Sequence, residues 1–70
     1  MSVYKVIELI GTSNESWEDA AASAVKLARQ SLRELRVAEV VQQDLDLAGD
    51  ADTITYRTKL RVSFKYEGGQ

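Results

Sequence analysis

Residues 53–66 read TITYRTKLRVSFKY, and this stretch decides the fold. Read by alternate positions, it separates into an apolar row and a basic row. The apolar row is Ile54, Tyr56, Thr58, Leu60, Val62 and Phe64, and the basic row is Arg57, Lys59, Arg61 and Lys65. Strict alternation in a segment rich in β-branched and aromatic residues predicts a β-strand. At about 3.3 Å per residue, this strand would be about 45 Å long, which is more than the rest of the chain is able to cover.

The length of the chain predicts one domain over residues 1–70. A core of this size supplies only a few kcal/mol, so small folds usually add disulfides, a metal or self-association. The sequence has no Cys and no His, which excludes disulfides and the thiolate or imidazole ligands of zinc sites. Self-association is the remaining common source of stability.

Charge and hydropathy limit the class of partner. The net charge of −2 gives no reason to expect nucleic acid, whose phosphates are bound by cationic side chains. No apolar run approaches the roughly 20 residues that span a bilayer, so we expect no membrane partner. The first residues lack the basic start and small-residue cleavage pattern of a signal peptide, and we therefore expect a cytoplasmic protein.

The chain before the basic strand divides into a strand, a helix and a second strand. Residues 3–10 (VYKVIELI) predict strand one, ended by Gly11. Ser16 and Asp19 have the spacing of a helix cap, and a helix of about 19 residues is expected from Trp17 onward. Its apolar stripe is Trp17, Ala20, Ala21, Ala24, Ala28, Leu32 and Leu35. Residues 36–47 predict strand two, with apolar residues on both faces, and residues 67–70 a frayed end.

This order predicts an α+β fold of β-α-β-β type. A crossover helix makes strands one and two parallel, and a short turn makes strand three antiparallel to strand two. Placing strand three between the others gives a three-stranded antiparallel sheet on one helix. Because a helix of about 28 Å by 10 Å cannot cover that sheet, we expect a homo-oligomer.

Several short segments, taken together, resemble a dodecin. They are GTS at 11–13, ESW at 15–17, VAEVV at 37–41, TYRT at 55–58 and VSF at 62–64, and the likeness covers residues 4–65. The resemblance implies that the sheet and helix assemble as a hollow dodecamer of cubic 23 symmetry. It also implies a protein that is not an enzyme, in a family whose best-known members bind and store flavins in pairs.

The family's flavin contacts fall on two substituted positions. A tryptophan that stacks on the flavin ring corresponds to Val37, and a glutamine that bonds the ring edge corresponds to Arg57. Residues 36–38 (RVA) resemble the branch described as calcium dodecins. We therefore expect a non-catalytic homododecameric shell that binds a small ligand or a cation, with an altered flavin site. The alternatives are a flavin-storage dodecin that tolerates Val37 and a small enzyme with its site between subunits.

No cofactor is fixed by the sequence, and the candidates are a flavin and Ca²⁺. Asp44 and Asp46 are the candidate metal ligands, in an acidic segment that also holds Asp50 and Asp52. A solvated acidic turn is the favoured interpretation of this segment, and a cation held between subunits is the alternative.

Two further features have alternative interpretations. Trp17 is either a packing anchor, which an aromatic residue in the first turn of an amphipathic helix favours, or a ligand platform. The basic row either forms an anion site for a phosphate-bearing ligand or pairs with the carboxylates Glu8, Glu39 and Asp44. Without His, Cys, a glycine-rich phosphate loop or a nucleophile elbow, catalysis is not expected.

Overall fold

The structure is a computed structural model that describes residues 1–66. Its elements are β1 (Tyr4–Ser13), α1 (Trp17–Ser31), β2 (Leu35–Asp46) and β3 (Thr55–Lys65). The strand order is β1-β3-β2 and both pairings are antiparallel. The predicted β-α-β-β fold, with the basic strand in the middle of the sheet, is therefore confirmed. The expected frayed end at 67–70 lies outside the described residues, and no helix within 1–66 has the length and apolarity to cross a membrane.

Helix α1 begins where the sequence predicts and ends earlier. Ser16 is the N-cap, and its side chain accepts a hydrogen bond from the backbone N–H of Asp19 at 2.9 Å. The prediction of about 19 residues was wrong, because α1 has 15 and stops at Ser31. Leu32 is already extended (φ −114°, ψ 142°), and the chain then turns through Glu34, whose φ is 61°, to begin β2.

The strand ends differ from the prediction, by one residue at each end of β2 and by more in β1 and β3. Strand β1 continues through Gly11, because Gly11 and the two residues after it pair with β3 and extend the ladder as far as Ser13 opposite Tyr56. Strand β3 begins at residue 55 and ends at residue 65, within the predicted range of 53–66. Thr53 belongs to the preceding turn, since its N–H and hydroxyl donate to the backbone carbonyl and carboxylate of Asp50 at 3.1 and 2.7 Å.

Strand β2 has an irregularity that explains its imperfect alternation. The register with β3 shifts between Leu35 and Val37 and again between Val40 and Gln42. Each shift lets two residues of one strand oppose one of the other, which moves the following side chains to the opposite face. Plain alternation along residues 37–45 would place Asp44 and Val37 on opposite faces, but the shift after Val40 places them on the same face.

The buried core is small and lies between α1 and the middle of the sheet. Its members are Ala20, Ala28, Leu60, Val62 and the polar Thr58. Gly11 lets α1 approach β1, because a Cβ at this position would overlap the carbonyl oxygen of Ala20 and lie 3.1 Å from the Cβ of Ala24. The helix lies mainly over β1 and β3, and β2 is exposed at ten of its twelve positions. The other face of the sheet, which we call the open face, has no helix on it.

Replacing Gly11 by alanine tests this close approach. We expect Gly11→Ala to lower the free energy of unfolding by about 1–3 kcal/mol, because the added methyl forces the helix away from the strand. Thermal or urea unfolding at matched protein concentration measures the effect. Gly49→Ala, in the exposed β2–β3 turn, is the control, because its added Cβ meets only the side chain of Thr53 at 3.2 Å. Equal losses in the two variants would contradict the packing described here.

Candidate functional site

The open face carries both positions that the resemblance assigns to the flavin. Thr58, Leu60 and Val62 face the helix, so the residues between them face away from it. Val37 lies opposite Ser63 on this open face, and Arg57 lies opposite Asp44. Six residues of β3 separate the two positions, or about 20 Å along the strand. One subunit therefore does not bring Val37 and Arg57 together.

Val37 offers no ring on which a flavin could stack. Its side chain is 61% exposed on β2 and is bordered on β3 by the small Ser63. The one tryptophan of the chain, Trp17, lies on the helix side of the sheet. An aromatic face is thus missing from the open face at this position.

Arg57 forms a bidentate ion pair with Asp44. Its Nε donates to Oδ1 of Asp44 at 2.7 Å and its terminal nitrogen donates to Oδ2 at 2.8 Å. Such fork-to-fork pairing fixes the plane of the guanidinium as well as its charge. The hydrogen bonds from Arg57 lower the pKa of Asp44, and the same bonds raise the pKa of Arg57. Two of the five N–H donors of this guanidinium are thus bonded to Asp44 and do not point to a ligand.

Trp17 anchors the start of the helix to the sheet. Its indole N–H donates to the backbone carbonyl of Asp44 at 3.0 Å, and its own carbonyl accepts from the hydroxyl of Thr58 at 2.9 Å. The ring meets that of Tyr56 edge-on, with centroids 5.3 Å apart and planes at 84°. The packing role predicted for Trp17 is confirmed. The sequence does not indicate its bond to β2, because the carbonyl within its reach depends on the two register shifts of β2.

The basic row pairs with carboxylates of the neighbouring strands. Glu8 on β1 lies 3.0 Å from Arg61 and 3.5 Å from Lys59, and Arg61 lies 3.6 Å from Glu39 on β2. The predicted pairing with these carboxylates and with Asp44 is therefore confirmed for Arg57, Lys59 and Arg61. Lys65, the last member of the row, forms no ion pair within residues 1–66. Hydrogen bonding from Arg61, followed by the charge of Lys59, lowers the pKa of Glu8. Because these side chains are partly exposed, each pair is weak and screened by salt.

The two candidate metal ligands are adjacent on one face of β2, but neither is part of a ready cation site. The carboxylate of Asp44 is occupied by Arg57, and Oδ1 of Asp46 accepts from the backbone N–H of Ala48 at 2.9 Å. Within residues 1–66, no group of three or more His, Cys, Asp or Glu side chains is placed to hold a metal ion. Ca²⁺ takes six to eight oxygen ligands, so the described part of one chain does not fit it.

The acidic residues around the helix start and the hairpin turn have structural partners. Asp19 accepts from the hydroxyl of Ser13 at 2.6 Å, beside the helix cap. Asp50 accepts from the N–H of Asp52 at 3.1 Å and from the hydroxyl of Thr53 at 2.7 Å. Hydrogen bonds from Thr53 and Asp52 lower the pKa of Asp50. These bonds are those of turn and cap residues.

Comparison with known proteins identifies the family to which this chain belongs. A family model described as Dodecin matches residues 3–67. The chain belongs to the dodecin family. The calcium dodecin of Mycobacterium tuberculosis is 57% identical over 70 residues, covering 100% of this chain and 97% of that protein. A dodecin of Thermus thermophilus is 40% identical over 65 residues, covering 93% of each chain.

Solved dodecin structures agree with the fold. A crystal structure of the calcium dodecin of M. tuberculosis, described as having a novel calcium-binding site, has a TM-score of 0.87 at 56% identity. It covers 99% of this chain and is itself covered to 97%. A mutant of the T. thermophilus dodecin has a TM-score of 0.86 at 39% identity, covering 96% of this chain and 97% of that one. The three-stranded antiparallel sheet on one helix is thus the dodecin fold.

The ion pairs of the open face predict acid sensitivity. The pKa of Glu8 lies below its ordinary value of 4.5 and that of Asp44 below 3.8. Carboxyl groups with a lowered pKa stabilise the fold above their unfolded values, and that contribution is lost as the pH falls through their folded values. We expect the melting temperature to stay level from pH 7 to about pH 5 and to fall below about pH 4.

Asp44→Asn separates this effect from general acid unfolding. The melting temperature of the variant should be lower than that of the native protein at neutral pH, because Arg57 loses its partner. Between pH 5 and pH 3, the melting temperature of the variant should fall by less than that of the native protein. Asp52→Asn removes the same charge from a residue that forms no ion pair within 1–66 and should retain the native pH profile. A profile of Asp44→Asn parallel to the native one would contradict the role given to this pair.

Proposed function

We propose that this dodecin is a non-catalytic homododecameric shell that binds a cation or small ligand between subunits and does not store flavin. One observation supports the proposal: neither of the two positions that the resemblance assigns to the flavin offers the family's contact group. Val37 supplies no ring, and Arg57 is bonded to Asp44. The dodecameric assembly is carried over from the resemblance.

The energetic argument against flavin storage rests on stacking. An aromatic side chain stacked on a base is worth about 1–3 kcal/mol, and a flavin ring presents a comparable face. Loss of one such contact lowers the affinity by about tenfold or more, and a pair of flavins held between two such rings would lose it twice. Freeing the donors of Arg57 for a ligand would also break its charged bonds to Asp44.

The cation-binding part of the proposal rests on the relative and on the acidic end of the β2–β3 hairpin. The protein that shares 57% of its residues is named for calcium. Asp46 lies at the end of β2, where the strand passes beyond the last residue of β1 that pairs with β3. Since the carboxylates of one chain do not complete a Ca²⁺ shell, ligands from neighbouring subunits must supply the remainder.

Riboflavin fluorescence tests the altered flavin site. The native protein at micromolar concentration should leave riboflavin emission unquenched. Combining Val37→Trp with Arg57→Gln should raise the affinity by at least about tenfold, because a ring and a free amide are restored on the open face.

The matched control places the ring on the other face of the same strand. Val40 lies opposite Leu60 and faces the helix side, so Val40→Trp with Arg57→Gln should not gain affinity. Quenching by the native protein at micromolar concentration would overturn the proposal, and equal gains in the two double variants would overturn the use of the open face.

Calcium is tested by thermal stability. A ligand that binds only the folded state stabilises it by about 2.7 kcal/mol at 100 times its dissociation constant. We expect millimolar Ca²⁺ to raise the melting temperature more than Mg²⁺ at the same ionic strength. Asp46→Asn should reduce the rise, whereas Asp52→Asn removes a charge from the same hairpin and should keep it. A native melting temperature that Ca²⁺ leaves unchanged would remove calcium from the proposal.

A further inference from the structure

The charged residues that form no ion pair within residues 1–66 are separated by sign along the molecule, and all of them are exposed. The acidic ones lie where α1 begins and where β2 turns into β3, and we call this region the acidic end. They are Glu15, Glu18, Asp19, Asp46, Asp50 and Asp52. The basic ones lie on the last two turns of α1, in the turn that follows and at the strand ends beside it, and we call this region the basic end. They are Lys5, Lys26, Arg29, Arg33 and Lys65.

The acidic end is one surface because the helix start and the hairpin turn meet there. Asp46 pairs with Thr55 at the beginning of β3, so the hairpin turn lies beyond this point of the sheet. The indole N–H of Trp17, the first residue of α1, donates to the backbone carbonyl of Asp44 at 3.0 Å. The two elements therefore place their carboxylates at the same end of the sheet.

The basic end gathers charges from a helix, a turn and two strands. Lys5 on β1 lies opposite Phe64, and Lys65 on β3 lies opposite Tyr4. Arg33, in the turn after α1, lines the same cavity of about 490 Å³ as Lys5 and Lys65. Positive charge is thus concentrated where β3 finishes, at the opposite end of the sheet from the hairpin turn.

The distance between the two ends makes their charges act between copies and not within one. Strand β3 runs from the acidic end to the basic end, and its ten steps from Thr55 to Lys65 span about 33 Å. The longest dimension of the described chain is 51 Å. At physiological salt, attraction between exposed charges is largely screened beyond about 8 Å. The opposite charges therefore attract each other only where two copies meet.

The helix dipole explains only part of the separation. Acidic residues such as Glu18 at the start of a helix, and basic residues such as Arg29 near its end, are stabilised by the dipole. Asp52 in the hairpin turn, and Lys5 and Lys65 on the strands, lie outside the helix. Their placement matches that of the helix charges without contributing to the helix.

Each end also exposes apolar surface beside its charges. At the acidic end, Leu47 and Ile54 flank the hairpin turn and are 69% and 45% exposed. At the basic end, Leu32, Phe64 and Tyr66 line the cavity that Lys5 and Lys65 border. A contact between unlike ends removes apolar surface from water on both sides and pairs the charges around it.

We propose that copies of this chain associate with unlike ends in contact, so that the acidic end of one copy lies against the basic end of another. A contact of either end with its own counterpart would place like charges together, which is strongly unfavourable. The inference rests on the self-association in the proposed function and adds the two surfaces that meet.

Reversing the charge of each end tests this contact. The acidic-end variant combines Glu15→Lys with Glu18→Lys, and the basic-end variant combines Lys5→Glu with Lys65→Glu. Light scattering on serial dilution, in a fixed concentration of urea at which the native assembly dissociates, gives the protein concentration at half dissociation. Each variant should raise this concentration by at least about tenfold at low salt, because like charges then face each other across the contact.

The four substitutions together are the matched control. They exchange the charges of the two ends and restore the native net charge of −2, so unlike ends meet again. The half-dissociation concentration should return to within about threefold of the native value, because the two effects are coupled and not additive. Raising the salt to about 1 M, where the screening length is about 3 Å, should reduce the difference between each two-residue variant and the native protein.

Three results would overturn the inference. They are two-residue variants that dissociate at the native concentration, a four-residue variant no more stable than the weaker two-residue variant, and differences that high salt leaves undiminished. The last result would mean that the substitutions damage the fold and not a charged contact, and circular dichroism on each variant checks the fold directly. A native protein that is monomeric would contradict the proposed shell as well, whereas a full-size assembly that is insensitive to all the variants would contradict this inference alone.

Discussion

The constraint on which the structure depends is the mismatch between one short helix and a long sheet. Helix α1 has 15 residues, or about 22 Å, whereas β2 and β3 have 12 and 11 residues and reach about 35–40 Å. The helix lies over β1 and β3 and leaves β2 exposed. Only four apolar residues are buried within residues 1–66. Exposed apolar residues occur on both faces of β2, so sister subunits must supply the missing cover.

The open face shows how a strand with many basic residues is accommodated in the middle of a sheet. Strands β1 and β2 place Glu8, Glu39 and Asp44 beside the basic row, so charge is balanced across the strands. The pairs are individually weak, but the one between Arg57 and Asp44 adjoins the carbonyl that anchors Trp17. Asp44 therefore links the start of the helix to Arg57, the position that the resemblance assigns to a flavin contact.

Strand order and the helix start could be predicted from the sequence, because they depend on local signals. The alternation of residues 53–66 and the cap formed by Ser16 are such signals. The early end of α1 could not, because Leu32 and Glu34 leave the helix to let β2 pair with β3. The register shifts in β2 could not be predicted either, because they depend on how β2 pairs with β3. The site was predicted in part: the carboxylate partners of the basic row follow from charge, whereas the bond from Trp17 to the carbonyl of Asp44 depends on the register of β2.

The mass of the purified protein in dilute solution tests the central claim most directly. Each chain has a mass of 7.8 kDa. Light scattering coupled to size exclusion should give about 94 kDa, the mass of twelve copies, because the sheet needs neighbouring subunits to cover it. A well-folded monomer with a cooperative unfolding transition would show that the helix and sheet suffice alone, and it would contradict the account.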